Sequence, residues 1–304
     1  MLRQTIALFA LVLLPTSCCS EVVSKKSDRS SPYKYEYYYD DATSSPCDAV
    51  VMINVGTFMS TDAYSDLANA IVIAGSQPNT SSSGTVAIVV DSNPKRIMKD
   101  DGTKYADAVN AIVGSIRSII PNCSALPLYF IGGHSGGGKG AINALNLNIL
   151  NFSVAGFVGL DPFEVSEPDQ LNLRIPVPSL QWGFNETSCL VAKENAAEAA
   201  YNISNTNHRI FYRVNTKKPN TIITGPHCSF ANHGCFGACQ SAKGLPWIRT
   251  QVGISLNHFI MAIKSNNFDR NQFIINETDA VLLVNDDTVP QYSNMIAPNI
   301  LTYH

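Results

Sequence analysis

The stretch Gly133-His134-Ser135-Gly136-Gly137 decides the expected fold of this 304-residue chain. It follows an apolar run at residues 128–131 and precedes a segment, 141–149, whose apolar residues recur at helical spacing. A serine flanked by glycines between a strand and a helix is typical of a nucleophile elbow, a turn that only residues with almost no side chain can flank. The turn lifts the serine hydroxyl above the sheet, where it can attack an acyl carbon if a histidine takes its proton.

Two other interpretations of this stretch stay open. Residues 133–140 nearly spell a phosphate-binding loop, but Gly140 stands where such a loop needs a serine or threonine to hold magnesium. The simpler alternative is a glycine-rich turn with an inert serine.

A net charge of −3 and the lack of a Lys/Arg cluster argue against a nucleic-acid partner.

Strands and helices alternate along the chain. Short, mostly apolar segments predict strands at residues 49–54, 85–90, 128–131, 154–160, 177–182, 209–214 and 221–224. Helical spacing predicts helices at residues 63–73, 105–119, 141–149 and 252–263. This alternation predicts an α/β fold, a mainly parallel sheet with helices on both faces. Ligands of such sheets bind beyond the carboxyl ends of the strands.

The first twenty residues indicate export. Residues 1–20 resemble a secretory signal, with Arg3 ahead of an apolar run, 6–14, that is too short to span a bilayer. Residues 21–46, rich in Ser, Lys and Tyr, predict an exposed lead-in with one edge strand, and 47–304 a single domain. We expect no transmembrane span, and a secreted protein or one of the endomembrane lumen, a secondary plastid being the remaining alternative.

Sequons and cysteines agree with an oxidising compartment. Six Asn-x-Ser/Thr sequons occur, at Asn79, Asn122, Asn151, Asn185, Asn202 and Asn276. If the signal takes Cys18 and Cys19 with it, six cysteines remain and fit three disulfides, of which Cys235–Cys239 is the favoured local pair. A zinc site is the alternative, although the usual ligand spacings are missing. Its ligands would come from His227, Cys228, His233, Cys235 and Cys239.

An elbow serine needs an acid and a base, which follow it in the chain in that order. Asp161 lies 161 − 135 = 26 residues after Ser135, directly after the predicted strand 154–160, and therefore at the same end of the sheet. Glu186 is the alternative acid and Glu164 a weaker one. The non-catalytic alternative is that Asp161 only caps a loop.

Among the histidines, His227 is the favoured base, because it lies in a late loop, Gly225-Pro226-His227-Cys228, and His233 is the alternative. His134 is expected to point away from the site because of its elbow position. The remaining three are predicted to be structural or terminal: His208, His258 and His304.

Two backbone N–H groups must stabilise the oxyanion. One is that of Gly136, directly after the serine, and the other that of Thr57, or alternatively Phe58, in the loop after the first buried strand. Gly56 lets that loop turn. Phe58 and Met59 either form an apolar wall near the acyl site or belong to the core.

Three motifs resemble those of plant chlorophyllases. The segment Gly56-Thr57-Phe58-Met59-Ser60-Thr61-Asp62-Ala63-Tyr64-Ser65 resembles their oxyanion loop. Gly133-His134-Ser135-Gly136-Gly137-Gly138-Lys139 is similar to their Gly-His-Ser-Arg-Gly-Gly-Lys motif, and Gly159-Leu160-Asp161-Pro162 to their Gly-Ile-Asp-Pro. The resemblance spans residues 49–162. Polyester hydrolases and related esterases share this core pattern.

The resemblance implies an α/β-hydrolase fold and a serine carboxylic-ester hydrolase. Ser135 would be the nucleophile, Asp161 would orient the base, and the N–H groups of Thr57 and Gly136 would bind the oxyanion. The substrate would be a small-molecule or lipid-like ester, hydrolysed through an acyl-enzyme without a metal or cofactor. The chain departs from the plant pattern at Gly136, which replaces arginine, and around His227. The alternatives are a lipase- or cutinase-like esterase and a non-catalytic binding protein of the same fold.

Overall fold

The structure is a computed structural model of the chain. It describes residues 22–27, 32–41, 47–76, 84–92, 102–120, 123, 126–162, 173–184, 196–204, 208–214, 226–232, 246–268 and 301–303. The predicted signal peptide and the predicted strand at 221–224 lie outside the described residues.

One nine-stranded sheet organises the described residues. Its strands are β1 (Val22–Lys26), β2 (Lys34–Asp40), β3 (Ala49–Asn54), β4 (Thr85–Asp91), β5 (Leu128–His134), β6 (Val154–Leu160), β7 (Ser179–Phe184), β8 (Arg209–Val214) and β9 (Leu301–Tyr303). They lie in the order β1-β2-β4-β3-β5-β6-β7-β8-β9. The six strands from β4 to β8 in this order pair in parallel, whereas β1, β2 and β9 pair antiparallel. The predicted mainly parallel sheet is confirmed.

Among the described residues, five α-helices cover both faces of this sheet. They are α1 (Ser65–Gly75), α2 (Thr103–Ile119), α3 (Gly136–Leu147), α4 (Ala196–Asn202) and α5 (Pro246–Ser265). Buried residues of α1 and α5 pack on one face, and those of α2, α3 and α4 pack on the other. The predicted α/β layering is therefore confirmed.

The central strands are mainly apolar because both of their faces are covered. In β3, Val51 and Ile53 point to the core under α1 and α5, while Val50 and Met52 point to the core under α2 and α3. All six residues of β3 are buried. Residues with β-branched side chains suit such a strand because they pack well on a pleated surface.

The lead-in differs from its prediction as an exposed segment with one edge strand. It contributes two strands, and β2 lies inside the sheet between β1 and β4. The side chains of Glu36 and Tyr38 are buried on one face of β2. On the other face Tyr37 and Tyr39 stack, with ring centroids 6.1 Å apart. The alternation of residues along β2 therefore reflects a strand with side chains packed on both faces.

A second, smaller difference concerns β7, which begins at Ser179 instead of residue 177. Pro178 precedes it and has no N–H to donate to a neighbouring strand. Its carbonyl still accepts a hydrogen bond from the N–H of Phe157, at 2.8 Å. The prediction missed this boundary because apolar character continues across the proline.

Cys47 and Cys123 form a disulfide, with Cα atoms 4.5 Å apart. Cys228 is also disulfide-bonded, which removes its thiolate from the alternative zinc site. Cys189, Cys235 and Cys239, and with them the predicted local pair, lie outside the described residues. Within the part of the chain that the structure describes, no helix combines the length and the apolar character needed to cross a bilayer.

The carboxyl ends of β3, β5 and β6 meet at one edge of the sheet. Asn54, the last residue of β3, pairs with Gly133 of β5, which pairs with Gly159 of β6. The Asn54 side chain donates from Nδ2 to the carbonyl of Gly137 in α3, at 3.2 Å, and accepts from the Ser92 hydroxyl at 2.8 Å. These bonds fix the first turn of α3 against the loop that leaves β3.

Candidate active site

Ser135 lies at the predicted elbow, between the end of β5 and the start of α3. Its φ of 53° and ψ of −131° place it in a backbone region that residues other than glycine rarely adopt. The carbonyl of Ser135 accepts the N–H of Gly138 at 2.9 Å, which begins the helix, while its own N–H donates to Leu160 at 3.1 Å. Such strain at a non-glycine residue concentrates at functional sites.

The glycines around Ser135 are required by close packing. A Cβ on Gly133 would lie 2.6 Å from the carbonyl carbon of Gly137. A Cβ on Gly137 would lie 2.2 Å from the carbonyl oxygen of Val55. No real Cβ approaches backbone atoms so closely, so α3 can reach the strand ends only with glycine at both positions.

Asp161 lies directly after β6, one strand away from the serine. Its N–H donates to the carbonyl of Trp182 at 2.7 Å, and its φ of 46° again lies in the left-handed region. The residue is 4% exposed. Its Oδ2 lies 2.6 Å from Nδ1 of His227, so the structure brings these two predicted residues together.

The Asp161 bond fixes the tautomer of His227. A carboxylate can only accept a hydrogen bond, so Nδ1 of His227 carries the proton. In the neutral ring the lone pair then lies on Nε2, which is the arrangement that a general base for a serine requires. His227 is carried by a 3-10 helix, Pro226–Phe230, and is buried at 6% exposure.

Ser135 directly follows His134, a residue that contacts this pair. The rings of His134 and His227 pack with centroids 4.6 Å apart. Among the described residues, the Ser135 hydroxyl makes no hydrogen bond to His227 Nε2. Bonds between nucleophile and base are often long before substrate binds and shorten in the complex. The structure thus joins Asp161 to His227, and Ser135 directly follows the residue whose ring packs against His227.

The predicted oxyanion donors lie beside each other. A Cβ built on Gly136 would be 3.9 Å from the Thr57 nitrogen and 2.3 Å from Thr57 Oγ1. The loop of Thr57 is a turn closed by the N–H of Met59 on the carbonyl of Gly56, at 3.0 Å. Phe58, with φ 64°, supplies the positive φ that a type II turn needs at its third residue. Within the described chain, no hydrogen bond uses the Thr57 N–H.

The two predicted wall residues separate in the structure. Met59 is 7% exposed and contacts the Tyr64 hydroxyl through its sulfur at 3.1 Å, so it belongs to the core. Phe58 is 45% exposed and directly follows Thr57, the predicted oxyanion donor. Of the two, Phe58 alone can contact a ligand at this edge.

The segment 226–232, which carries His227, is anchored to the start of α1. Arg249 of α5 donates from Nη1 to the carbonyl of Ala231 at 2.8 Å. The same guanidinium bonds Asp66 Oδ2 from Nη2 at 3.1 Å. Arg249 is buried, and its bonds hold the segment to α1, the helix that follows the loop of Thr57.

The other predicted residues divide into two groups. His208 stacks on Phe268, with centroids 4.2 Å apart, and His258 lies in α5, as structural residues would. Asn151 and Asn202 are exposed, as glycosylation sites must be. His233, Glu186, Glu164, His304 and the sequons at Asn79, Asn122, Asn185 and Asn276 lie outside the described residues, so these predictions stay open.

Sequence reasoning missed Tyr64 and the role of His134. Both side chains are fully buried, and Tyr64 Oη lies 2.7 Å from His134 Nδ1. His134 Nε2 lies 2.7 Å from the carbonyl oxygen of His227. The expectation that His134 points away from the site is wrong, because its ring packs against that of His227. The available signal was the position of both residues inside two of the three motif stretches quoted above.

Replacing Gly136 by alanine is expected to lower kcat by about 10²- to 10³-fold, the usual cost of losing one oxyanion donor. The new Cβ would lie 2.3 Å from Thr57 Oγ1, so the Thr57 side chain must move, and we expect the backbone that carries its N–H to move with it. The measurement is kcat on p-nitrophenyl acetate. Gly114→Ala in α2 is the matched control, because a Cβ there meets nothing within 4 Å.

Removing the Thr57 hydroxyl relieves this clash. In the double variant Thr57→Ala, Gly136→Ala the nearest remaining side-chain atom is the Cβ of residue 57, at 3.7 Å, an ordinary contact. We expect kcat to return to that of Thr57→Ala alone. Wild-type kcat in Gly136→Ala by itself would mean that the Thr57 hydroxyl turns aside without moving the N–H, and would contradict the expected loss.

Neither a scan against protein-family models nor a search of curated protein sequences finds a match to this chain. The interpretation of the site therefore depends on its geometry and on the motifs of the sequence.

Proposed function

We propose that this chain is a serine carboxylic-ester hydrolase with an α/β-hydrolase fold, similar to chlorophyllases and related esterases. The observation that carries the proposal is the 2.6 Å bond from the buried Asp161 to His227, beside a strained turn that presents Ser135. A loop-capping aspartate does not need an imidazole partner. The adjacent N–H groups of Thr57 and Gly136 support acyl transfer over other uses of a serine.

The proposed reaction proceeds in two steps. Ser135 Oγ attacks the ester carbonyl while His227 Nε2 takes its proton, and the oxyanion is stabilised by the N–H groups of Thr57 and Gly136. His227 returns the proton to the leaving alkoxide as the alcohol departs. Water, deprotonated by the same nitrogen, then hydrolyses the acyl-enzyme and regenerates Ser135. Asp161 stabilises the imidazolium that forms in each step.

The proposed substrate is a small-molecule or lipid-like ester. The exposed Phe58 next to Thr57 supports an apolar acyl or alcohol group, since burying an aromatic side chain against it is favourable. Chlorophyll, with its phytyl ester, is one substrate of this kind, and lipid esters and polyesters are others.

We place the protein in the secretory route or outside the cell. The disulfide Cys47–Cys123 supports this placement because such bonds persist in oxidising compartments. The exposed sequons at Asn151 and Asn202 support it as well.

The test is active-site labelling followed by an ester panel. The full chain, expressed through the secretory route, is treated with a fluorophosphonate probe, and the adduct is mapped by mass spectrometry. We expect one adduct, on Ser135. The panel compares p-nitrophenyl esters of two, four and sixteen carbons with chlorophyll a.

Each outcome of this test separates the alternatives. Turnover of chlorophyll a indicates the chlorophyllase-like activity, and a preference for the long p-nitrophenyl ester indicates a lipase-like one. A protein that folds but gives neither an adduct nor turnover is a binding protein, and the proposal is then wrong.

A further inference from the structure

A chain of hydrogen bonds joins the oxyanion loop to the segment of the base. The Gly56 N–H donates to Tyr64 Oη at 2.8 Å, Tyr64 Oη lies 2.7 Å from His134 Nδ1, and His134 Nε2 lies 2.7 Å from the carbonyl oxygen of His227. We call these four residues the His134 bridge. Its two side chains are fully buried, so no water competes with these bonds.

Every bond of the His134 bridge has a fixed direction. The His227 carbonyl can only accept, so His134 Nε2 carries the proton and donates it. A neutral imidazole has one N–H, so Nδ1 accepts from the Tyr64 hydroxyl, whose oxygen accepts from Gly56. Burial first, and the neighbouring His227 second, lower the pKa of His134 well below its usual range, while burial raises the pKa of Tyr64. Both groups therefore keep these protonation states near neutral pH.

The bridge also packs tightly against the oxyanion loop. A Cβ on Gly56 would lie 2.9 Å from His134 Nδ1 and 3.0 Å from Tyr64 Oη. The backbone just before Thr57 therefore rests directly on the two side chains. The 2.8 Å bond from the Gly56 N–H to Tyr64 Oη couples the position of this backbone to that of the bridge.

We propose that His134 is a positioning residue, which holds the segment of His227 and the loop of Thr57 at a fixed separation around Ser135. The inference rests on the proposed function. Both groups that the bridge holds act on the transition state, one on the proton and one on the oxyanion. Loosening the His134 bridge therefore lowers kcat with little change in KM, since the contacts that bind the substrate equally in the ground state and the transition state are unchanged.

The test compares three variants, each measured for kcat, KM, melting temperature and rate of fluorophosphonate labelling. Tyr64→Phe removes one hydroxyl and keeps the ring, and His134→Ala removes the bridge. We expect kcat to fall by about 100-fold in both, the cost of a misplacement near 1 Å, with KM within about twofold. His134→Gln keeps an N–H near the position of Nε2 and is expected to recover part of the loss.

Tyr105→Phe is the matched control. Tyr105 is another fully buried tyrosine; its hydroxyl donates to the carbonyl of Met52 at 2.7 Å and accepts the N–H of Gly132 at 3.4 Å, and it belongs to no bond of the His134 bridge. We expect it to lose stability as Tyr64→Phe does and to keep wild-type kcat. Equal kcat in Tyr64→Phe, His134→Ala and the control would overturn the inference and leave the proposed function intact.

A proton NMR measurement separates failure of the inference from failure of the proposed function. The proton between His227 Nδ1 and Asp161 gives a downfield signal that requires no turnover. We expect this signal to shift or broaden in Tyr64→Phe and in His134→Gln, and to stay unchanged in Tyr105→Phe. If the wild type neither labels nor turns over, the proposed function is wrong, and an unchanged signal in the bridge variants then overturns the positioning role too.

Discussion

Ser135→Ala is expected to lower kcat by about 10⁶-fold, since removing the nucleophile of such a site costs about as much as removing all of its catalytic side chains. The fold should survive, because the alanine occupies the same backbone conformation and the Ser135 hydroxyl makes no hydrogen bond within the described residues. The measurement is single-turnover and steady-state hydrolysis of p-nitrophenyl esters, with melting temperature recorded beside it.

Ser115→Ala is the control for this variant. Its hydroxyl donates to the carbonyl of Ala111 within α2, far along the chain from the elbow. We expect wild-type kcat and a small change in melting temperature. Hydrolysis by Ser135→Ala at more than about a hundredth of the wild-type rate would mean that another group is the nucleophile.

Asp161→Asn is expected to lower kcat by about 10⁴-fold. The asparagine amide can donate to Nδ1 of His227, which moves the imidazole proton to Nε2 and leaves no lone pair for the serine proton. Asparagine is also a suitable replacement for the backbone, because it tolerates the left-handed region that Asp161 occupies at φ 46°. A loss of kcat at unchanged melting temperature would therefore report the tautomer.

The control for the acid is Asp48→Asn. Asp48 precedes β3, at the opposite end of the strand from the site, and pairs with Lys264. We expect wild-type kcat there, apart from a small loss of stability, since exposed ion pairs contribute about 0–1 kcal/mol. If Asp161→Asn stays within tenfold of the wild type, the acid lies elsewhere, and Glu186 becomes the next residue to replace.

The sequence predicts the parts of the site that depend on local geometry. The elbow follows from glycine spacing, since Gly133 and Gly137 have no room for a side chain. Asp161 follows from its place at a strand end, because parallel strands bring their carboxyl ends to one edge. The contact of Asp161 with His227 spans 66 residues of chain, and only a motif or a model of the fold can propose it.

The rest depended on information that the sequence does not carry locally. Tyrosine alternation in β2 is the same for an edge strand and an interior one, so its place between β1 and β4 could not be predicted. β9, with three residues, is too short for a periodicity. The direction of the His134 side chain depends on Tyr64, 70 residues earlier, which no spacing rule connects to it.

The crowding around Gly136 constrains any attempt to reshape selectivity by directed evolution. Introducing an arginine at residue 136 would first require a smaller residue at position 57, because Thr57 Oγ1 lies 2.3 Å from the position of the new Cβ. We therefore expect single substitutions of Gly133, Gly136 or Gly137 to give mostly inactive variants. Position 58 is the more productive target, since its side chain reaches solvent and glycine or asparagine can replace phenylalanine without opposing its left-handed backbone.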